Sequence, residues 1–381
     1  MMRIESPHQS SAGNNKSICF IMELFFLEVK GGSEIQAWFL AQGLKMRGWS
    51  VHYVREKGKN GSNEKTIKGI SLYSIPSRHT KLKFLNIFSL FKIMKQIKAD
   101  YWYLRGTVSY VFPVWLLSKC FGGKVIWNCS SDVQLSPIHI RSNYLLLRIL
   151  SYFDRMLFLW AVRRISFIFL QSFYQQKLLN TYLGLKGTVL YNFHPIPDRK
   201  NVQRSQLILW VGRLESRKDP SKIVEIANRL KDKPYQFYVI GNPMTNTACQ
   251  SLFFSTEKEN RKFRYLGELK WEEILQLYRR AKILVNTSFV EGFSNTFIEA
   301  WMHGLPVISL KVDPDNLITS KGLGFVTNTI AKMELFIRTV MEDEALFLKL
   351  SERCRTFAIE NFSIEQKIDD FIGALDMSFI E

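Results

Sequence analysis

Two carboxylates separated by seven residues, Glu291 and Glu299, frame the stretch of this sequence that is best suited to chemistry. Between them, residues 294–296 are predicted to open a helix. The first amides of a helix have no intrahelical acceptor and lie at the positive end of the helix dipole, so a phosphate is a natural ligand there. Carboxylates on both sides of an anion suit hydroxyl groups, and the pattern therefore indicates a sugar nucleotide.

A strand, a loop and a helix must position these groups. Residues 283–286 (ILVN) predict a short buried strand, Gly292 permits a tight turn, and Ser294 is a favourable N-cap. Apolar side chains follow at helical spacing at Phe297, Ile298, Trp301 and Met302. The sequence therefore predicts a helix that begins near Ser294, with Asn295 and Thr296 in its first turn.

A second candidate loop, residues 212–218 (GRLESRK), follows an apolar strand and precedes a helix predicted near Pro220. The turn at Gly212 brings Arg213 and Lys218 together, where they would chelate a diphosphate through charge-assisted hydrogen bonds worth roughly 1.5–3 kcal/mol each. Such cations neutralise a leaving group without a metal. A solvated basic loop is the alternative interpretation.

These motifs, with HGLP at residues 303–306, resemble the donor site of family 4 retaining glycosyltransferases with the GT-B fold. The resemblance implies that Glu291 contacts the transferred sugar, that Glu299 binds the ribose hydroxyls, and that residues 294–296 bind a phosphate. It also implies that Arg213 and Lys218 hold the diphosphate, so that Glu291, Arg213 and Lys218 form the catalytic set. Without the resemblance, the alternative interpretation is that Glu291 is an ordinary charged residue of a loop and Glu299 a solvated charged residue of a helix.

The first part of the chain repeats the strand, glycine loop and helix order. Residues 17–27 predict a buried strand, Gly31 and Gly32 open a helix, and residues 51–54 form the next strand. This is half of a nucleotide-binding βαβ unit, although a glycine pair also suits a plain turn. The resemblance implies that Gly31 and Gly32 face the donor diphosphate.

Other polar loops follow predicted strands. Asn128, Ser130 and Asp132 come after the strand at residues 124–127, at the edge where open α/β sheets bind ligands, or form a plain polar loop. Many members of the resembled family carry a histidine there that touches the donor sugar. This sequence has none, so these three residues are acceptor-side candidates. The resemblance also implies that Gly241 and Leu269 lie beside the nucleoside base.

Alternating strands and helices predict an α/β protein with two Rossmann-like, doubly wound domains, and the resemblance implies that they face a cleft. A flexible N-terminus (1–16) precedes the first, acceptor-binding domain. The predicted segments after it are the N-terminal domain 17–191, a linker 192–205, a nucleotide-sugar-binding domain 206–362, and a C-terminal helix 363–381 that packs back on the first domain.

Composition limits the partners. Residues 1–195 hold 26 Lys and Arg against 9 Asp and Glu, whereas residues 196–381 hold 26 against 25. The basic first half favours an anionic lipid, a phosphorylated acceptor or a nucleic acid. The five cysteines are odd in number and scattered, which indicates a reducing compartment, and no apolar run reaches the roughly 20 residues that span a bilayer.

Two basic, aromatic-rich stretches, 78–98 and 141–164, predict amphipathic helices. One interpretation places their apolar faces in the core. The other places them on a membrane, with Lys81, Lys83, Arg148 and Arg155 on anionic lipid and nearby aromatic rings in the interface. The expected location is cytoplasmic, peripheral on the inner face of the cell membrane.

Two further residue groups have structural interpretations. His194 lies beside two prolines in the predicted linker, which favours a structural role over that of a base. Asp313 and Asp315 flank a proline, which favours a turn over a metal site. We therefore expect no metal and no cofactor.

The expected reaction moves a hexosyl or N-acetylhexosaminyl group from a nucleoside diphosphate sugar, UDP favoured over GDP, to a hydroxyl. The acceptor would be a glycan or a polyprenyl-linked molecule, as in surface polysaccharide assembly. No residue suits a covalent nucleophile, so the resemblance implies a same-face mechanism in which the leaving phosphate takes the acceptor proton. One alternative is a nucleotide-sugar-binding protein without turnover. Another is a nucleic-acid-binding α/β protein, although no stacking motif supports nucleic acid as a partner.

Overall fold

The computed structural model describes residues 16–26, 31–57, 65–77, 83, 85–135, 145–198, 203–242 and 247–377. They form two compact units. Unit 1 runs to Tyr191 and resumes at Ile364, and unit 2 is Asn192–Ser363.

Unit 1 is built on a sheet with the strand order β3-β4-β2-β1-β5-β6-β7-β8, in which neighbours are parallel except β3 and β4. Its strands are β1 Ser17–Met22, β2 Ser50–Lys57, β3 Thr66–Ile67, β4 Ile70–Pro76, β5 Tyr101–Arg105, β6 Lys124–Asn128, β7 Phe167–Leu170 and β8 Thr188–Val189. Its helices are α1 Gly32–Met46, α2 Ile87–Ile97, α3 Val111–Phe121, α4 Leu145–Val162, α5 Phe173–Leu183 and α13 Ile364–Met377.

The central strand β1 explains why this sheet is covered on both faces. Its residues from Ile18 to Met22 are all buried, as expected for a parallel strand between two helical layers. Phe20 lies opposite Tyr53 of β2 and Tyr103 of β5, with ring centroids 5.9 and 4.7 Å away. Helices therefore have an apolar sheet to pack on at either side.

The C-terminal helix α13 belongs to unit 1 and packs on α1. A Cβ atom on Gly43 would lie 1.5 Å from the Ile368 side chain, so glycine lets the two helices approach closely without displacing Ile368. Arg47 Nε donates to Asp369 Oδ1 over 3.0 Å, and the Phe371 ring lies 6.1 Å from that of Tyr103. Helices α1 and α13 thus cover the same face of the sheet.

Unit 2 contains a parallel sheet with the order β11-β10-β9-β12-β13-β14. Its strands are β9 Leu207–Val211, β10 Gln236–Ile240, β11 Phe263–Tyr265, β12 Ile283–Asn286, β13 Val307–Ser309 and β14 Gly324–Val326. Its helices are α6 Ser221–Arg229, α7 Thr247–Glu259, α8 Trp271–Arg280, α9 Asn295–Met302, α10 Leu317–Lys321, α11 Ile330–Glu342 and α12 Glu344–Phe362.

The strand order of unit 2 reverses at β9, which has β10 on one side and β12 on the other. Ligands of open α/β sheets bind at such a switch point, beyond the carboxyl ends of the strands. The loops after β9 and β12 are the two candidate loops of the sequence. The predicted fold class, two doubly wound α/β domains, is confirmed.

Several predicted boundaries differ from the structure. Strand β1 ends at Met22, not at residue 27, because Glu23 turns to accept a hydrogen bond from Thr107 and to pair with Lys83. The first basic helix begins at Ile87, and residues 78–82 with Lys81 lie outside the described residues. The second is α4, which ends at Val162.

The structure corrects the predicted lipid role of Lys83. Its side chain is 7% exposed, and its Nζ lies 2.5 Å from Glu23 Oε2 and 3.0 Å from Glu56 Oε1. Arg155 also turns toward protein, since its Nη1 donates to the Gln134 carbonyl over 2.8 Å. Arg148 is exposed on α4, as the lipid interpretation requires.

Candidate active site

Three hydrogen bonds join the loop after β12 to strand β9 and to the loop that follows β9. The Thr287 hydroxyl donates to the Lys218 carbonyl over 2.7 Å and accepts from the Trp210 indole over 2.9 Å. The Phe289 amide donates to the Arg217 carbonyl over 2.9 Å. The backbone that carries Lys218 is therefore held against the loop that leads to Glu291.

Lys218 and Glu291 form the centre of this site. Lys218 Nζ lies 2.5 Å from Glu291 Oε1, and the two side chains are 14% and 8% exposed. The same oxygen accepts from Asn286 Nδ2 over 3.0 Å and from Ser288 Oγ over 2.5 Å. Three donors thus fix the Glu291 carboxylate in one orientation.

The pKa of Glu291 reflects opposing causes. Burial acts to raise it, but the Lys218 ammonium and the hydrogen bonds from Ser288 and Asn286 outweigh burial, so the pKa lies below its usual value. The carboxylate is therefore ionised at neutral pH and forms a true ion pair with Lys218.

Arg213 follows a different arrangement. Its side chain is 57% exposed, and its Nε lies 2.9 Å from Glu215 Oε1. The other oxygen of Glu215 accepts from Arg217 Nε over 2.5 Å. The structure thus brings Lys218 to Glu291 but holds Arg213 beside Glu215 in the same loop.

Helix α9 begins at Asn295, and Ser294 occupies the N-cap position as predicted. The hydroxyl of Ser294 does not cap an amide, because it bonds to Thr296 Oγ1 over 2.9 Å. Asn192 holds this end of the helix, with its Nδ2 donating to Asn295 Oδ1 over 2.8 Å and to the Phe293 carbonyl over 3.2 Å. The amino end of α9 therefore has a fixed position beyond the end of β12.

Glu299 lies on the inner side of α9 and is 7% exposed. Its Oε1 accepts from the Trp271 indole over 3.4 Å and lies 3.8 Å from His194 Nε2. Burial raises the pKa of Glu299 to about 7, although the Trp271 bond acts in the opposite direction. Burial lowers the pKa of His194 to about 3, so this contact joins a neutral imidazole to a carboxyl group at neutral pH.

Gly212 and Gly241 bring the loops after β9 and β10 together. A Cβ atom on Gly241 would lie 1.8 Å from the Gly212 carbonyl oxygen, so this position requires glycine. The Gly241 amide donates to the Gly267 carbonyl over 2.8 Å. Leu269 is half-buried just before α8. These residues lie in loops after neighbouring strands of the unit 2 sheet.

The remaining predicted site residues lie in unit 1. Gly31 is the N-cap of α1 and Gly32 its first residue, so the predicted helix after the glycine pair is present. Asn128 ends β6 and is buried. Ser130 donates its amide to Gln134 over 2.9 Å, and Asp132 accepts from Gln175 Nε2 over 2.9 Å. The end of β6 and the loop after it therefore place all three residues at the carboxyl edge of the sheet.

Asp313 stabilises a turn. Its carboxylate accepts from the Ile318 amide over 2.8 Å and from the Thr319 hydroxyl over 2.7 Å. Across the described ranges, no group of three or more His, Cys, Asp and Glu side chains has a metal-binding arrangement.

Four polar residues of the site had no assigned role in the sequence analysis. Asn286 and Ser288 position Glu291, Thr287 ties the two loops together, and Asn192 positions α9. A signal was available for the first three, since NTS directly follows the apolar strand ILV at a ligand-binding edge. Asn192 stood in a predicted linker, where nothing in the sequence relates it to α9.

Known families match both parts of the chain. The model described as "Glycosyl transferases group 1" matches residues 205–343, and that described as "Glycosyl transferase 4-like" matches residues 24–159. The chain belongs to the family 4-like glycosyltransferases. The resemblance drawn from Glu291, Glu299 and their surroundings is confirmed at the level of the family.

Relatives of this glycosyltransferase family member include a Campylobacter jejuni α-1,4-N-acetyl-D-galactosaminyltransferase named for a diphospho-undecaprenol-linked glycan. The two are 25% identical over 177 residues, which cover 43% of this chain and 47% of the relative. The chain thus matches about half the length of this curated relative.

Solved structures confirm the GT-B fold over nearly the whole chain. Sucrose-phosphate synthase from Thermosynechococcus elongatus has a TM-score of 0.74 at 16% identity, covering 96% of this chain and 99% of that one. Anabaena Alr3699/HepE, in complex with UDP and glucose, has a TM-score of 0.73 at 14% identity, covering 95% and 100%.

Proposed function

We propose that this protein is a retaining glycosyltransferase that moves a sugar from a nucleoside diphosphate sugar to a hydroxyl of a glycan or lipid-linked acceptor. The observation that carries the proposal is the buried Lys218–Glu291 pair at the switch point of unit 2, three residues before the N-cap of α9. A cation, a fixed carboxylate and a helix amino end meet the needs of a diphosphate and its sugar.

In the proposed reaction, the bond between sugar C1 and the diphosphate oxygen breaks, and its electron pair stays on the leaving oxygen. The acceptor oxygen bonds to C1 on the same face, and its proton passes to the leaving phosphate. Lys218 has three N–H donors, of which one faces Glu291, and the others are assigned to the diphosphate. These donors and the α9 amides stabilise charge that develops in the transition state.

The geometry of Glu291 supports an orienting role. Its Oε1 accepts from Lys218, Asn286 and Ser288, which withdraws electron density from the carboxylate and makes it a weak nucleophile. We assign its Oε2 to a hydroxyl of the transferred sugar. Glu299 is assigned to the ribose, with its position set by Trp271.

The partners are proposed from relatives. The Anabaena neighbour with UDP and glucose supports a UDP-sugar and a hexosyl group. The Campylobacter relative's name supports an N-acetylhexosaminyl group and a polyprenyl diphosphate-linked acceptor. Lys218 already supplies a cation for the leaving group, so we propose metal independence. The five cysteines are free thiols, which supports a reducing, cytoplasmic location.

A two-step experiment tests the function. A thermal-shift screen with UDP-, GDP- and ADP-sugars identifies the donor, because a bound ligand raises the melting temperature. Transfer to a polyprenyl diphosphate-linked glycan is then measured with and without EDTA, and NMR gives the anomeric configuration of the product. We expect a UDP-sugar to bind and the product to keep the anomeric configuration of the donor, with no effect of EDTA.

The variant Glu291→Gln should lower kcat by about 100-fold, as loss of a preorganised polar contact commonly does. Glu259→Gln is the matched control because Glu259 is exposed on α7. If the wild type binds the donor but neither transfers its sugar nor hydrolyses it, the nucleotide-sugar-binding alternative would be favoured. An inverted product would refute the retaining mechanism.

A further inference from the structure

Helix α4 is apolar on two opposite faces. Its inner face places Phe158, Ala161 and Val162 in the core of unit 1, all at most 1% exposed. The other face exposes five apolar side chains by 43–60%, at Ile149, Tyr152, Phe153, Met156 and Trp160. We name these five residues the α4 stripe. Their spacing of three and four residues aligns them along one side of the helix.

The α4 stripe continues onto the neighbouring helix α3. The Trp160 ring lies 4.6 Å from Trp115 and 5.8 Å from Phe112, measured between centroids. Leu116 of α3 is 40% exposed. A contiguous apolar surface of this kind marks an interaction site, whereas single exposed apolar residues do not.

Positive charge borders the stripe. Arg148, Arg163 and Arg164 are exposed, and the Arg164 guanidinium lies 4.2 Å from the centre of the Trp160 ring. The only acidic residue in the sequence of α4 is Asp154. Asp154 accepts from Ser109 Oγ over 2.8 Å, on a side of the helix away from the stripe. The exposed face therefore combines aromatic rings with cations and carries no carboxylate of its own helix.

We propose that the α4 stripe docks on an anionic lipid surface. Tyr, Trp and Phe side chains enter the acyl boundary while arginines stay at the level of the phosphates. Within the part of the chain that the structure describes, no helix is long and apolar enough to cross a bilayer. A second copy of the chain fits less well, because it would bring the same arginines together. The proposal is independent of donor binding.

Flotation of the full-length protein with vesicles tests the proposal without any donor. Vesicles of phosphatidylcholine alone are compared with vesicles of equal parts phosphatidylcholine and phosphatidylglycerol, at low and high salt. We expect binding to the anionic vesicles to be at least about tenfold tighter, since each arginine near the surface contributes roughly fivefold. High salt should weaken it.

Two double variants separate the apolar and electrostatic contributions. Phe153→Gln/Met156→Gln removes apolar area from the stripe with helix-forming residues, and should weaken binding about tenfold or more. Arg148→Gln/Arg163→Gln should reduce the preference for anionic vesicles by a similar factor. The control Leu335→Gln/Leu348→Gln changes exposed leucines of α11 and α12 and should bind as wild type does.

Melting curves of each variant establish that it folds. Equal binding to neutral and anionic vesicles, or wild-type binding by the stripe variant, would overturn the proposal. So would a dimer that dissociates in the stripe variant while no form of the protein binds vesicles, because the stripe would then cover a second copy.

Discussion

Replacing Lys218 by methionine removes the cation that faces Glu291. The two side chains are 14% and 8% exposed, with 2.5 Å between Nζ and Oε1. Removing one partner of a buried pair costs about 3–5 kcal/mol, because the other charge stays uncompensated. Asn286 and Ser288 still donate to the carboxylate, so we expect the lower end, about 3 kcal/mol. A domain of this size then melts about 6–12 °C lower.

The effect of Lys218→Met should depend on pH. In the wild type the pKa of Glu291 is lowered, so the stability from this group is present at neutral pH and is lost as pH falls through the folded pKa. In the variant, burial without the ammonium raises the pKa of Glu291. The variant can then relieve its buried charge by taking up a proton, so the loss of melting temperature is large at pH 7 and shrinks toward pH 4.

Circular dichroism melts at several pH values measure both effects. The double variant Lys218→Met/Glu291→Gln should recover most of the stability, because glutamine keeps an acceptor for Asn286 and Ser288 without a charge. Lys222→Met is the control, since Lys222 is 37% exposed and pairs with a half-exposed Glu225. Its melting temperature should change little. If Lys218→Met had the same melting temperature as the wild type at pH 7, the account of this pair would be refuted.

Three further predictions concern the surroundings of the pair. Glu299→Gln should raise the melting temperature at pH 8 but not at pH 4. The folded-state pKa of about 7 lies above the usual value, so ionisation of the buried carboxyl group destabilises the wild type as pH rises. An effect that does not depend on pH would contradict the burial of this group. Asn192→Ala should raise the KM for the donor by about fivefold to tenfold, since the Asn295 end of α9 loses a hydrogen bond worth roughly 1 kcal/mol or more. An unchanged KM in steady-state kinetics would contradict this role of Asn192. Gly241→Ala should lower the melting temperature by at least about 5 °C, because the new Cβ would lie 1.8 Å from the Gly212 carbonyl oxygen. An unchanged melting temperature would show that the two loops move apart freely.

Local rules predicted the elements that carry the site. The start of α9 followed from Gly292, Ser294 and the apolar side chains at helical spacing after them. The partner of the Ser294 hydroxyl was not predictable, because both the Thr296 hydroxyl and the first helix amides are potential partners and the structure pairs it with Thr296. Local sequence patterns determine where helices begin but not every side-chain contact.

Long-range partners depend on strand order, which the sequence does not reveal. Lys218 meets Glu291 because β9 and β12 are neighbours in the sheet, although β10 and β11 lie between them in the chain. The predicted proximity of Arg213 and Lys218 gave no reason to expect Glu215 as the partner of Arg213. Periodicity also could not assign the two apolar faces of α4, since both have the same spacing.

Titration calorimetry with UDP tests the central claim most directly, that Lys218 and the amino end of α9 bind the diphosphate of a sugar nucleotide. UDP lacks the sugar that Glu291 is assigned to, so Glu291→Gln should bind UDP as tightly as wild type. The double variant Lys218→Met/Glu291→Gln, whose melting curve is checked first, should bind about tenfold or more weakly, as expected for loss of a charge-assisted hydrogen bond. Equal affinity in both variants, or no binding of UDP, GDP or ADP by the wild type, would contradict the account.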